Sequence, residues 1–164
     1  MIEKIISGGQ TGADQAALKI ATESGIPVGG WCPKGGLDEN GKNILDQYPS
    51  LQETSASIPN QRTKLNIEYS DGTLILVPRL PLPENIKDGT ILTIEHAKKI
   101  NKPFLIIDLS KADFSYTISE WMHKNKIKIL NVAGPRESNS PGIHDATYEL
   151  LRNTFFRPSF CSKL

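Results

Sequence analysis

The sequence predicts an α/β fold, in which a Rossmann-like, doubly wound and mainly parallel sheet carries helices on both faces. Two observations lead to this prediction. Short apolar runs that end at Gly, Pro or Asp recur along the chain, and segments with helical spacing of apolar residues lie between them. Strands that are apolar on both sides are typical of a parallel sheet covered on both faces. Because 164 residues suffice for one core of ordinary size, we expect a single Rossmann-like ligand-binding domain over residues 1–164.

Strands and helices are predicted to alternate. The first strand covers residues 2–7, and a helix follows because Ala13, Ala16 and Ile20 recur at helical spacing before Gly25 ends it. Further strands are expected at the apolar runs 26–30, 73–77, 104–109 and 127–132. Further helices are expected from Pro59 to residue 69, from about residue 88 to 100, and over residues 116–124 and 142–156. The segments 34–54 and 78–87 are long for loops of this fold, so they are candidate functional or mobile segments.

Charge, apolar content and cysteine number exclude several classes of protein. The 19 basic and 18 acidic residues leave a net charge of +1, so we expect no nucleic-acid partner and no attraction to membranes. No apolar run has the length of a membrane span or a secretion signal, which predicts a cytoplasmic protein. Cys32 and Cys161 are far apart and the histidines are scattered, so no protein-bound metal is predicted.

The motif SGGQTGAD follows the first predicted strand and opens the first predicted helix. Glycines allow positive φ and close backbone approach, and the N–H groups at a helix start favour an anion, above all phosphate. The motif matches neither the dinucleotide fingerprint nor the P-loop, and a tight turn without ligand is the alternative. The carboxylate of the aspartate that ends this motif, Asp14, would repel a phosphate. It is therefore a candidate to hold a sugar hydroxyl, a metal ion or the loop itself. The candidate ligand-binding residues here are Gly8, Gly9, Gln10, Thr11, Gly12 and Asp14.

Two later turns share this design. DGT at residues 88–90 is predicted to start a helix, with Asp88 as a helix cap or ligand contact, and with Gly89, Thr90 and Thr93 along one rim of a pocket. After the fifth strand come Gly134, Pro135, Arg136, Glu137 and Ser138. The arginine can pair with a phosphate or carboxylate, or lie at the surface, and the glutamate can position a water or bind a ribose diol.

Three polar residues elsewhere are candidates for the same crevice. Arg62 and Asn66 lie four residues apart and therefore share one face of the second predicted helix. Lys34 stands near glycines in GGWCPKGG and supplies a further cation. For Arg62 and Asn66 the alternative is that they lie on a helix face exposed to solvent.

Five motifs together resemble the family of putative molybdenum carrier proteins: SGGQTGADQAALKIA, GGWCPKG, SDGTLIL, DGTILTIEHA and LNVAGPRESNSPGIHDAT. The family is similar to the Rossmann-like superfamily of lonely-guy phosphoribohydrolases, the lysine-decarboxylase-like proteins, with the motif order circularly permuted. The resemblance implies a small phosphorylated ligand, either the molybdenum cofactor or a nucleotide, at the turns described above. We also expect a homo-oligomer, a dimer or a tetramer.

The resemblance leaves the enzyme question open. Phosphoribohydrolases of that superfamily carry Pro-Gly-Gly-x-Gly-Thr-x-x-Glu, and Thr93 stands at the position of the glutamate. Glu95 lies about 200° further around the helix and cannot simply replace it. We therefore expect a binding protein, a carrier or sensor of an anionic phosphorylated ligand. The alternatives are a nucleotide N-glycosidase, whose catalytic residues the sequence does not identify, and a regulatory module.

Overall fold

Seven strands and six helices lie within residues 1–55 and 60–156, the part of the chain that the computed structural model describes, and they alternate except that β3 directly follows β2. The strands are β1 Lys4–Ile6, β2 Val28–Gly29, β3 Trp31–Cys32, β4 Gln52–Glu53, β5 Gly72–Val77, β6 Phe104–Asp108 and β7 Ile129–Ala133. The helices are α1 Ala13–Glu23, α2 Ile44–Gln47, α3 Gln61–Glu68, α4 Glu84–Lys99, α5 Ser115–Lys124 and α6 Ile143–Phe156.

The central sheet has the strand order β2-β1-β7-β5-β6, and every neighbouring pair is parallel. Ile5 pairs with Val28 on one side and with Leu130 on the other, so β1 lies inside the sheet. All six residues of β5 are buried, as the uninterrupted apolar run predicts for a strand covered on both faces. The predicted α/β, Rossmann-like fold class is confirmed.

Alternation along β5 divides the helices between the two faces of the sheet. Leu74 and Leu76 pack in one apolar cluster with residues of α1, α5 and α6. Ile75 points the other way, because successive side chains of a strand face opposite sides. That second face carries α3 and α4, which pack against each other.

The segment 34–54, which the sequence predicts as a long loop, contains regular structure. β3 and β4 pair in a second, two-stranded parallel sheet, and α2 lies between them. Asn43 caps α2 through its side-chain oxygen, which accepts hydrogen bonds from the N–H groups of Leu45 and Asp46. Ile44 and Leu51 anchor the segment on Leu18 of α1.

The predicted start of the third long helix is wrong. α4 begins at Glu84, directly after Pro83, so Asp88, Gly89 and Thr90 lie inside the helix. The Asp-Gly-Thr triplet has the composition of a helix cap, but Pro83 stops the preceding segment and the four residues after it tolerate helix well. Asp88 is therefore not a cap, and the segment 78–87 ends in helix. The predicted helix start at Pro59, like Cys161, lies outside the described residues.

Candidate functional site

A cavity of about 270 Å³ opens beyond the carboxyl ends of β1, β5 and β7. β7 and β5 are neighbours in the sheet, yet α6 follows β7 on one face and α4 follows β5 on the other. The two connections diverge and leave a crevice between them, which is where open parallel sheets bind their ligands. Its walls come from the β1–α1 turn, the β7–α6 turn, α3 and the first half of α4.

The structure brings eleven of the eighteen sequence-predicted site residues to this cavity. They are Gly8, Gln10, Asp14, Arg62, Asn66, Gly89, Thr90, Thr93, Gly134, Pro135 and Arg136. The other seven do not line it: Gly9, Thr11, Gly12, Lys34, Asp88, Glu137 and Ser138. Glu95 is also exposed and outside the lining.

Two guanidinium groups supply the positive charge of the cavity. Arg62 of α3 has its Nη1 3.6 Å from the Oδ2 of Asp14 and 3.4 Å from the carbonyl oxygen of Gly8. Arg136 of the β7–α6 turn is exposed, and it forms no ion pair with a described residue. One arginine is therefore positioned by the fold, while the other is available to an incoming anion.

Asp14 is the one carboxylate among the described lining residues, and it is 7% exposed. Its Oδ2 accepts a hydrogen bond of 3.3 Å from the N–H of Gln10. Burial raises the pKa of the Asp14 carboxyl, and the Arg62 guanidinium and that hydrogen bond oppose the rise. Asp14 thus holds the β1–α1 turn and also presents a carboxyl group to the cavity.

Several N–H groups at the β1–α1 turn donate hydrogen bonds within the protein. The N–H of Thr11 donates to the side-chain oxygen of Gln10 at 3.1 Å, and the N–H of Ala13 donates to the carbonyl of Pro135 at 3.3 Å. Gly12 has φ +80°, and a Cβ there would lie 2.8 Å from the backbone nitrogen of Glu137. Gly12 therefore permits the close approach of the two glycine turns rather than contact with the cavity.

Glu137 is occupied by the start of α6. Its two carboxylate oxygens accept hydrogen bonds from the N–H groups of Gly142 at 2.6 Å and His144 at 3.0 Å. This arrangement satisfies N–H groups that a helix start leaves without partners. The sequence-level interpretations of this glutamate as a water-positioning or diol-binding residue have no support in its position.

The polar lining residues that the sequence reasoning missed are Thr63 and four asparagines, Asn60, Asn85, Asn131 and Asn139. Asn131 in β7 is 3% exposed and donates from Nδ2 to the hydroxyl of Thr73 at 3.2 Å. Asn85 of α4 donates to the carbonyl of Asn139 at 2.7 Å, which ties α4 to the β7–α6 turn. An asparagine inside an apolar strand run was a usable signal for Asn131. The other three asparagines could be predicted only with knowledge of which loops meet.

The described part of the chain contains neither a candidate metal-binding cluster nor a candidate membrane-spanning helix. Residues 1–55 and 60–156 contain no group of three or more His, Cys, Asp or Glu side chains that could hold a metal ion. Within the same ranges no helix has the length and apolarity needed to cross a membrane.

Comparison with known proteins agrees with this architecture. The chain matches the circularly permutated YpsA SLOG family over residues 5–155. It is also similar to a crystal structure described as that of a putative molybdenum carrier protein from Syntrophus aciditrophicus SB, with 43% sequence identity and a TM-score of 0.85. That alignment covers 95% of this chain and 96% of the other. None of the curated proteins matches the chain. The resemblance seen in the five motifs is thereby confirmed, and the chain belongs to the circularly permutated YpsA SLOG family.

Proposed function

We propose that the protein binds a small phosphorylated ligand in the cavity and acts as its carrier or sensor. The observation that supports this most directly is the charge of the cavity. Arg62 and Arg136 contribute two positive charges, whereas Asp14 contributes at most one negative charge. Burial disfavours the ionised form of that carboxyl, so the balance is positive across the cavity. A guanidinium group recognises phosphate through paired hydrogen bonds.

The remaining walls suit the uncharged part of such a ligand. Thr90 and Thr93 donate their hydroxyl protons to the carbonyls of Ile86 and Gly89, so their oxygens remain as acceptors. Asn131 donates to Thr73 and keeps its amide oxygen as an acceptor. We expect the two arginines to bind the phosphate of the ligand, and the hydrogen-bonding side chains beside them to contact the sugar or heterocyclic ring that carries it.

The molybdenum cofactor is one candidate, since it is a pterin that bears a phosphate and the similar crystal structure is described as a putative molybdenum carrier protein. The cavity residues fit the phosphate and the ring but not a metal ion. Cys32, the one cysteine among the described residues, is 0% exposed, and neither it nor a methionine lines the cavity there. Molybdenum would therefore arrive as cargo of the organic ligand, and a nucleotide fits the same donors.

Native mass spectrometry of gently purified protein tests the proposal. We expect a phosphorylated small molecule to be released, and metal counting to show whether molybdenum accompanies it. The same spectra count the protomers, for which we propose two or four. Arg62→Gln and Arg136→Gln are expected to reduce the recovered ligand at least tenfold, whereas Arg152→Gln on the surface of α6 serves as the matched control. Equal recovery from all variants would refute the proposal.

Asp14 supports a second candidate, a nucleotide N-glycosidase. A buried carboxyl with a raised pKa inside a cavity is a suitable general acid or base, and it could direct water to a glycosidic carbon. Release of ribose 5-phosphate from nucleotides by the wild type, and its loss in Asp14→Asn, would establish this activity. Nucleotides that stay intact on the protein would favour the carrier or sensor.

A further inference from the structure

We propose that Thr11 and Ser138 form an anion-binding cradle at the rim of the cavity, and that the carboxylate of Glu39 competes for it from within the chain. This inference deepens the proposed function and rests on it, because it adds a phosphate position that must be vacated before it can be used. The Glu39 side chain then gates the site.

The geometry of Glu39 is that of a bound anion. Its Oε1 accepts hydrogen bonds from the Thr11 hydroxyl and from the N–H of Ser138, the latter at 3.1 Å. Its Oε2 accepts a hydrogen bond from the Ser138 hydroxyl. One carboxylate thus bridges the β1–α1 turn and the β7–α6 turn. Two hydroxyls and one backbone N–H are donors that bind a phosphate oxygen equally well.

The Thr11 donor is buried and the Ser138 donor is exposed, whereas the acceptor is carried on a separate segment. Thr11 is 7% exposed, and its hydroxyl oxygen also accepts the N–H of Glu137 at 3.2 Å. Glu39 is only half-buried and joins the turn through its own N–H, which donates to the Gln10 side chain at 2.8 Å. Asp38 beside it accepts from the Gln15 side chain at 3.0 Å. Polar contacts of this kind can exchange for a ligand without disturbing the sheet.

The cradle adjoins the cavity. Gln10 and Arg136 line the cavity, and they lie next to Thr11 and close to Ser138 in the two turns. Hydrogen bonds from Ser138 and Thr11 lower the pKa of the Glu39 carboxyl, and the Arg136 charge adds to this effect. The arginine therefore acts on the cradle as well as on the cavity, and a phosphate in the cradle would gain the same attraction.

Calorimetric titration with inorganic phosphate tests the inference. Removal of the internal competitor in Glu39→Ala is expected to tighten phosphate binding about tenfold, because the apparent affinity rises as the accessible fraction of the site rises. The matched control is Asp46→Ala, which removes an equal charge from the same segment at an exposed position with no side-chain partner among the described residues. Its affinity should equal that of the wild type. Adding Ser138→Ala to Glu39→Ala should abolish the gain.

A lower melting temperature for Glu39→Ala with unchanged phosphate affinity would overturn the inference, since Glu39 would then be a structural clamp. If the alanine variant does not fold, Glu39→Gln keeps the shape and one acceptor oxygen, and at least threefold tighter binding is expected. Absence of phosphate binding by every variant would also refute the cradle. The proposed function is judged separately, from the ligand recovered with the wild type and its arginine variants.

Discussion

Replacing Gly12 by alanine is expected to destabilise the protein by about 3 kcal/mol, through two separate effects. The backbone at Gly12 has φ +80° and ψ −130°, a conformation that costs an L-residue roughly 1–2 kcal/mol. In addition, the new Cβ would lie 2.8 Å from the backbone nitrogen of Glu137, and the carbonyl oxygen of Pro135 would be nearer still. Both neighbours are backbone atoms, so relief requires the two glycine turns to separate, at a cost of roughly 1–3 kcal/mol.

Gly25→Ala is the matched control for the close approach. Gly25 has φ +71°, but a Cβ there meets nothing within 4 Å, so only the conformational cost of about 1 kcal/mol applies. Urea unfolding monitored by circular dichroism gives both free energies of unfolding. For a chain of this size the melting temperature should fall by about 6–12 °C for Gly12→Ala and by about 2–4 °C for Gly25→Ala. Losses within about 0.5 kcal/mol of each other, the usual size of a surface effect, would refute the packing argument.

Three further predictions concern stability. Gly89→Ala is expected to raise the free energy of unfolding by about 0.5–1 kcal/mol, because Gly89 lies inside α4 with open space at its Cβ position; a loss in urea unfolding would contradict this. Asn43→Ala removes the cap of α2 and should cost about 1 kcal/mol in the same assay, and no change would show that the cap is dispensable. The raised pKa of Asp14 implies stability that is present below about pH 4 and lost as pH rises through the folded-state pKa, so Asp14→Asn should gain stability relative to the wild type towards neutral pH. Parallel pH profiles of unfolding for the two proteins would exclude that linkage.

Local sequence patterns predicted the five strands of the central sheet and five of the six helices, but they missed β3, β4 and α2 and misplaced some ends. The apolar runs that became β5 and β6 were identifiable because a strand buried on both faces must be apolar on both sides. The start of α4 was misplaced because Asp88-Gly89-Thr90 has the composition of a cap, while Pro83 terminates the preceding segment in the structure. Capping preference is a small local effect, and the surrounding chain overrides it.

The sequence predicted that two glycine turns lie at the site, but it predicted only some of the individual side chains that line the cavity. Arg62 and Arg136 were identified from residue type and position after strands or on a helix face, and both line the cavity. Lys34 was identified in the same way and lies elsewhere, because its glycine-rich neighbourhood says nothing about where the segment packs. The hydrogen bonds of Glu39 were not predicted, since its partner Ser138 is 99 residues away in the sequence.

The sequence by itself determined the alternation of strands and helices, the parallel sheet and the family, because periodicity and motif spacing are properties of neighbouring residues. Only the tertiary structure decided which residues meet. It placed Asp14 beside Arg62 and Glu39 between two turns. It also placed the Glu137 carboxylate against the N–H groups at the start of α6. These contacts depend on how the crossovers bring distant turns to one edge of the sheet, and no local pattern encodes that geometry.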